Sequence, residues 1–325
     1  MSYDHDWLAG ALARIVQDYT RAEAEEPVLP YTSPSEMATH MTTDMETLSA
    51  QQLSARPPAK GTTPAELEAR LRDIVLASPR TGSRAFFNQL FGGHNYPAVL
   101  ADMLVPLLNN SMYTYKIAGI HTFIEKALIR RMSVAVGYDV DAGQGEGTFA
   151  PGGSMSNMMA MIIARNEAFP RYREDGAQAV EAKNEAMDRA NFVTLYTSED
   201  GHYSIRKNAG MIGLGRNSVR KIPTDDEGRM DVSALQQAIR QDRDAGHTPF
   251  FVNATAGTTV LGAYDPFDRI ADICEAEGLW LHIDGAWGGT VAMSRKLSHL
   301  LNGSHRADSF TWDAHKMMGV PLLAS

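Results

Sequence analysis

The sequence of 325 residues predicts an α/β fold with a mainly parallel sheet, helices on both faces and a helical arm in front. Two observations carry this. From about residue 100, short apolar runs alternate with helical stretches, which implies crossover connections between parallel strands. Residues 1 to about 80 instead repeat apolar residues at helical spacing between proline-containing breaks, with too few of them for a separate core.

In the arm, Trp7-Leu8, Leu12, Ile15-Val16 and Tyr19 recur with helical period until Pro27, Pro30 and Pro34 interrupt them. A second loop, 55–63, contains Pro57-Pro58 and Gly61. Thr63-Pro64-Ala65-Glu66 then reads as an N-cap with proline at the first helical position, opening a helix to about Leu76. Beyond the arm, helices are expected at 117–136, 154–168, 177–190, 233–243 and 266–277. Strands are expected at 192–197, 219–222, 249–254, 279–284 and 307–312. In such sheets ligands gather beyond the carboxyl ends of the strands, so the polar residues there are the ones that matter.

Composition narrows the class. The chain is 44% hydrophobic and 21% charged, as in globular proteins, and its net charge of −9 argues against nonspecific nucleic-acid binding. Cys274 is the only cysteine, which excludes an intrachain disulfide; within the expected helix it reads as a buried structural thiol. With no signal peptide and no membrane-spanning apolar run, a cytoplasmic enzyme is the expected class.

Five segments at strand or helix ends could carry chemistry. Pro151-Gly152-Gly153-Ser154-Met155-Ser156-Asn157 precedes a helical run, and glycines there let an anion approach the free N–H groups and dipole of the helix start. The same string also fits a plain N-capped helix. Past the strand 192–197, His202 could stack on a flat ring or move protons, or simply bond within its loop. Asn253-Ala254-Thr255-Ala256-Gly257-Thr258-Thr259 offers room and hydroxyls, or an ordinary strand exit. Asp284 ends an apolar strand, where an unpaired carboxylate is costly; a ring N–H or an arginine would satisfy it. Lys316 follows the run Ser309-Phe310-Thr311-Trp312, 316 − 284 = 32 residues later. An amine and a carboxylate at the ends of neighbouring strands suggest a site for pyridoxal phosphate, held by the lysine as a Schiff base.

These residues give the chain a resemblance to a known family, the group II pyridoxal-phosphate-dependent amino-acid decarboxylases of fold type I. It runs from about Phe86 to Ser325 and looks most like the glutamate and cysteine sulfinate decarboxylase branch. The strings that carry it are Phe86-Phe87-Asn88-Gln89-Leu90-Phe91, Tyr113-Thr114-Tyr115, Gly152-Gly153 with Ser156-Asn157, and Thr197-Ser198-Glu199. Further strings are His202-Tyr203-Ser204-Ile205, 253–259, and His315-Lys316-Met317-Met318-Gly319-Val320-Pro321.

The resemblance implies an arm at 1–85 and a cofactor-binding large domain at 86–325, with a C-terminal small domain expected beyond Ser325 in the family and absent from this sequence. It implies Lys316 as the Schiff-base lysine, Asp284 as partner of the pyridine nitrogen and His202 as the stacking histidine. Ala286 would pack on the other ring face, with Thr258 in the cofactor loop. Gly153, Ser154, Met155 (by its backbone) and Ser156 would form the phosphate turn, with Asp313 and His315 beside it. Gln89, followed by Phe91, matches the position that contacts the substrate carboxylate in the acidic branch. The implied reaction is decarboxylation of L-glutamate, L-cysteine sulfinate or L-aspartate in a homodimer with active sites at the subunit interface. Decarboxylation of an aromatic or diamino acid, a lyase or aminotransferase reaction, or a silent dimerisation role stand as alternatives. Two residues depart from the family pattern: Asp313 stands where asparagine is usual, and Gly285 replaces a common alanine, a change expected to be tolerated.

Overall fold

The computed structural model describes residues 5–29, 33, 62–88, 90–176 and 193–325. The chain divides into two compact units, Met1–Asn88 and Gln89–Ser325. The helix expected at 177–190 lies outside the described residues, as do Pro30, Pro34, Pro57 and Pro58.

The first unit contains α1 (His5–Glu25) and α2 (Pro64–Ala77). Thr63 and Glu66 close a reciprocal capping box at the start of α2, with Pro64 in its first turn. Arg14 and Arg72 of the two helices pair across to Glu68 and Asp18, both at 2.6 Å. These pairs are solvent-exposed and set register more than stability. The guanidinium of Arg80 is buried and donates to the carbonyl of Pro27 at 2.7 Å and to Glu26.

The second unit is built on a five-stranded sheet. Its strands are β1 (Val193–Ser198), β2 (Val219–Ile222), β3 (Thr248–Thr255), β4 (Trp280–Asp284) and β5 (Ser309–Thr311). Their order is β2-β1-β3-β4-β5 and every neighbouring pair is parallel. The helices are α3 (Tyr96–Leu108), α4 (Ile120–Val136), α5 (Gly153–Ala168), α6 (Ser204–Met211), α7 (Val232–Asp244) and α8 (Phe267–Glu277). One core packs Leu235 and Ile239 of α7 and Phe267 and Ile270 of α8 against Val252, Leu281 and Ile283. The other packs Met161 and Ala164 of α5 and Ile205 and Ala209 of α6 against Leu195 and Phe251. Central strands sandwiched this way are buried along their length, and every residue of β1 is, including Thr194, Thr197 and Ser198.

Each expected strand is present, but β5 pairs over only three residues. Before it, the Asp308 carboxylate accepts the N–H of Leu281 at 2.7 Å, so a side chain takes a bond that a longer ladder would make. The helix expected at 117–136 breaks at Gly119, whose φ of 53° separates a single turn, Tyr115–Ala118, from α4. Cys274 is buried on α8, as its position suggested. No described helix is long and apolar enough to cross a membrane.

The register aligns the carboxyl ends of the strands: Thr255 lies beside Asp284, and Asp284 beside Thr311. The chain moves outward from β1 to β2 and then returns to β3 on the other side, so β1 and β3 flank the point where winding direction reverses. Loops leaving such neighbours diverge and open a crevice.

Candidate active site

At that crevice lies a cavity of about 290 Å³. Lys316, Asp284, His202, Gly153, Ser154, Ala286, Asp313 and His315 are on its wall. Eight residues expected at one site thus meet at one cavity, drawn from four separate connections of the fold.

Asp284 ends β4 and is 4% exposed. Its Oδ2 accepts from Asn157 Nδ2 at 2.7 Å and its Oδ1 from the backbone N–H of Ala286 at 3.1 Å. Both contacts are donors, and each oxygen keeps a lone pair for a ligand at the cavity. Asn157 reaches in from α5. It also donates to Ser204 Oγ at 3.0 Å, and its Oδ1 faces His282 Nε2 at 3.0 Å.

His202 is half-buried and its Nδ1 accepts the N–H of Ser204 at 3.3 Å, which leaves the proton of the neutral ring on Nε2. Burial is the main cause holding its pKa below the ordinary value, with Lys316 and Lys207 adding to it; Asp284 opposes the shift. A neutral ring suits stacking better than a cationic one beside Lys316. The ring of Tyr203 lies 4.3 Å from it, centre to centre.

Lys316 Nζ sits 3.0 Å from Asp313 Oδ2. The Asp313 carboxylate is 1% exposed, accepts from Ser325 Oγ at 2.6 Å, and lies 3.8 Å from His315 Nε2. It also rests on the first turn of α5: a Cβ on Gly153 would come within 2.5 Å of Asp313 Oδ2. The glycine is therefore required by this close approach. An anion already stands at the helix pole where a phosphate was expected, with a lysine beside it. Asp313 is thus not turned away from the site.

The remaining expected residues divide. Met155 and Ser156 follow Ser154 on α5 but do not reach this wall, and the buried hydroxyl of Ser156 borders a second cavity of about 930 Å³ instead. Thr258 is buried behind the wall, where its Oγ1 accepts the N–H of Ala263 at 3.1 Å and holds the turn that carries Gly257 and Thr259. Phe91 is half-buried and off the wall, although Leu90 is on it. The segment that places Leu90 is pinned by Gly92 N–H donating to the Lys316 carbonyl at 2.8 Å and Asn95 N–H to that of Gly319 at 2.9 Å. Gln89 lies outside the described residues. Gly285, which stands where alanine is usual, has no spare room, since a Cβ there would meet Phe310 Cζ at 2.4 Å.

Sequence reasoning did not single out Asn157, Thr255, Tyr203 or Trp287, all of them on the wall. Asn157 was legible in principle, because residues 153, 154 and 157 share one face of a helix. Thr255 Oγ1 is buried with no partner, a hydroxyl donor available to a ligand.

The set fits pyridoxal phosphate. It offers a primary amine, a carboxylate for a ring N–H, a neutral imidazole and a hydroxyl without a partner among the described residues. It also offers a helix start at which the N–H groups of Gly153 and Ser154 have no acceptor further back in the helix, those of Met155 and Ser156 being taken by the Gly152 carbonyl. Among the described residues no group of three metal-binding side chains occurs.

Residues 48–325 match the family described as "Pyridoxal-dependent decarboxylase conserved domain". The chain is 38% identical over 315 residues to the cysteine sulfinic acid decarboxylase of Mus musculus, covering 97% of this chain and 61% of that protein. It is 38% identical over 310 residues to the acidic amino acid decarboxylase GADL1 of Homo sapiens, covering 95% and 56%. The crystal structure of mouse CSAD superposes with a TM-score of 0.86 at 36% identity, covering 98% of this chain and 62% of that one. This chain therefore spans between 56% and 62% of the length of these relatives.

Proposed function

The chain belongs to the pyridoxal-dependent decarboxylase family, and from that premise we propose that it releases the α-carboxylate of an acidic L-amino acid as CO₂, using pyridoxal 5′-phosphate. The observation that carries this reading is the presence of Lys316 and Asp284 on one small cavity, with the neutral ring of His202 on the same wall. When bound, the cofactor supplies an electron sink for the pair left behind by departing CO₂.

The chain's own residues supply the rest. Lys316 is the covalent anchor, and Asp313 holds its amine at the cavity wall. Asp284 would accept a hydrogen bond from the ring N–H and so keep that proton on the nitrogen, and Asn157 and the Ala286 N–H fix its carboxylate. His202 would cover one ring face and exclude water from it, while Ala286 would leave room at the other. Gly153 and Ser154 turn backbone N–H groups toward the phosphate.

L-Cysteine sulfinate, L-glutamate and L-aspartate are the proposed substrates, supported by the names of the two relatives. The homodimer proposed here is supported by the apolar surface of the second unit: Leu100, Leu104 and Leu107 on α3, and Ile120, Phe123 and Ile124 on α4 are all exposed. The single buried thiol fits a reducing, cytoplasmic setting.

The test supplies the purified protein with pyridoxal phosphate and each acid, and measures CO₂ against keto acid. CO₂ with the matching amine supports the reading, and keto acid in its place assigns an aminotransferase. Borohydride trapping locates the cofactor: an adduct on Lys316, lost in K316A, is expected, and its absence from the folded, cofactor-supplied protein refutes the site.

A further inference from the structure

A row of hydrogen bonds runs alongside β4, from Trp280 at its amino end to Asp284 on the cavity wall at its carboxyl end. Trp280 Nε1 donates to Ser309 Oγ at 2.8 Å. Ser309 Oγ lies 2.9 Å from His282 Nδ1, and His282 Nε2 lies 3.0 Å from Asn157 Oδ1. Asn157 Nδ2 then donates to Asp284 Oδ2 at 2.7 Å. His282 is fully buried and stacked at 5.8 Å on Phe251; Thr311 Oγ1 lies 3.5 Å from its Nε2, and the Ser309 backbone and the Asp284 carboxylate are also within its electrostatic reach.

The direction of the row is constrained at both ends. An indole N–H can only donate, so one lone pair of Ser309 is filled and its single hydrogen is free to point at His282 Nδ1. At the other end, an amide oxygen turned toward Asp284 would set two acceptors 2.7 Å apart. Only one assignment satisfies every member with Asp284 as an acceptor. Ser309 donates to Nδ1, Nε2–H donates to the Asn157 oxygen, and the amide N–H₂ faces the carboxylate. The reverse direction puts a proton on Nδ1, flips the amide and requires a proton on Asp284.

We propose that Ser309 and Trp280 are positioning residues: acting through the His282 tautomer and the Asn157 amide, they keep Asp284 an acceptor for the ring nitrogen of the cofactor. This rests on the proposed cofactor site for its purpose, but not for its geometry. Burial holds the His282 pKa down to about 4, so the ring is neutral near pH 7 and a tautomer is the only choice it has.

The experiment reads the tautomer and the cofactor separately. Histidine-selective ¹⁵N NMR of the cofactor-free protein is expected to show His282 as a single Nε2–H tautomer, and S309A and W280F to show a mixture. S309T, which keeps the hydroxyl, restores the single form. With cofactor and substrate, S309A is expected to lower kcat about three- to tenfold, one hydrogen bond's worth, with KM within about twofold. S309T is expected to recover it. A wild-type Nδ1–H tautomer, or an S309A protein with unchanged tautomer and kcat, overturns the proposal. Failure of the cofactor to bind at all refutes the functional reading instead, while the NMR result still decides the direction of the row.

Discussion

Replacing Asp313 by asparagine separates two effects that one carboxylate now exerts together. In the cofactor-free chain Asp313 pairs with Lys316 Nζ at 3.0 Å and accepts from Ser325 Oγ at 2.6 Å, almost wholly out of water. Two unit charges at 3.0 Å in an effective dielectric of about 20 attract by about 5–6 kcal/mol. Desolvation of both ions offsets a large share, and asparagine still offers Ser325 an acceptor. The net cost of D313N to the cofactor-free protein is therefore about 1–3 kcal/mol. With pyridoxal phosphate the sign reverses. A phosphate at the start of α5 faces a carboxylate in the natural chain and an amide donor in the variant. Removing one like-charge contact worth about one to two pK units is about 1.4–2.7 kcal/mol, roughly ten- to hundredfold in affinity. Urea unfolding measures the first effect and an absorbance titration with cofactor the second. D313N is expected to lower the urea midpoint while tightening cofactor binding tenfold or more. A folded D313N protein that binds cofactor no more tightly than the natural one refutes the reasoning and removes Asp313 from the phosphate's neighbourhood.

Three further outcomes are expected. G285A forces a methyl group against Phe310 and costs about 1–3 kcal/mol in urea unfolding, and F310L in the same chain restores most of it; additive losses would refute the contact. His282 is held near pKa 4 when folded and titrates near 6.5 when unfolded, so the unfolded chain takes up its proton first. Stability is therefore complete above about pH 6.5 and falls toward pH 4 by about 3 kcal/mol, a slope that H282Q removes in unfolding curves measured across that range. Finally, L104E on the exposed face of α3 is expected to shift the protein from dimer to monomer in light scattering at unchanged helix content; a natural protein that is already monomeric refutes the interface.

The sheet was legible because parallel strands covered on both faces carry dense apolar runs, as β1, β3 and β4 do at Leu195-Tyr196, Phe250-Phe251-Val252 and Leu281 with Ile283. Two helices were not. The α6 sequence, Ser204–Met211, is short and largely polar, and buries Ile205 and Ala209 only because α5 lies beside it. In α3, Pro106 and an apolar surface without a covered face hide the helical pattern. Lys316, Asp284 and His202 could be read because each closes a strand or opens the loop after one. Ser156 could not be separated from Ser154 in a string, yet each residue turns about 100° around the helix axis, so one reaches this cavity and the other does not. Asn157 gained its meaning only from Asp284, which sequence distance conceals.

That distance has a kinetic side. The Asn157–Asp284 bond spans 127 residues and the His282–Asn157 contact 125. Loops of such length close slowly, after local helices and neighbouring strands have formed. A growing polypeptide that has reached α5 already holds the cradle glycines, but the Asn157 amide meets the Asp284 carboxylate only once β4 is laid down. Competence to capture an aldehyde is thus acquired late, when nearly all of this unit is in place. A ligand that binds only that finished state adds its binding free energy to the whole, so cofactor supply during synthesis acts as a check on completed folding.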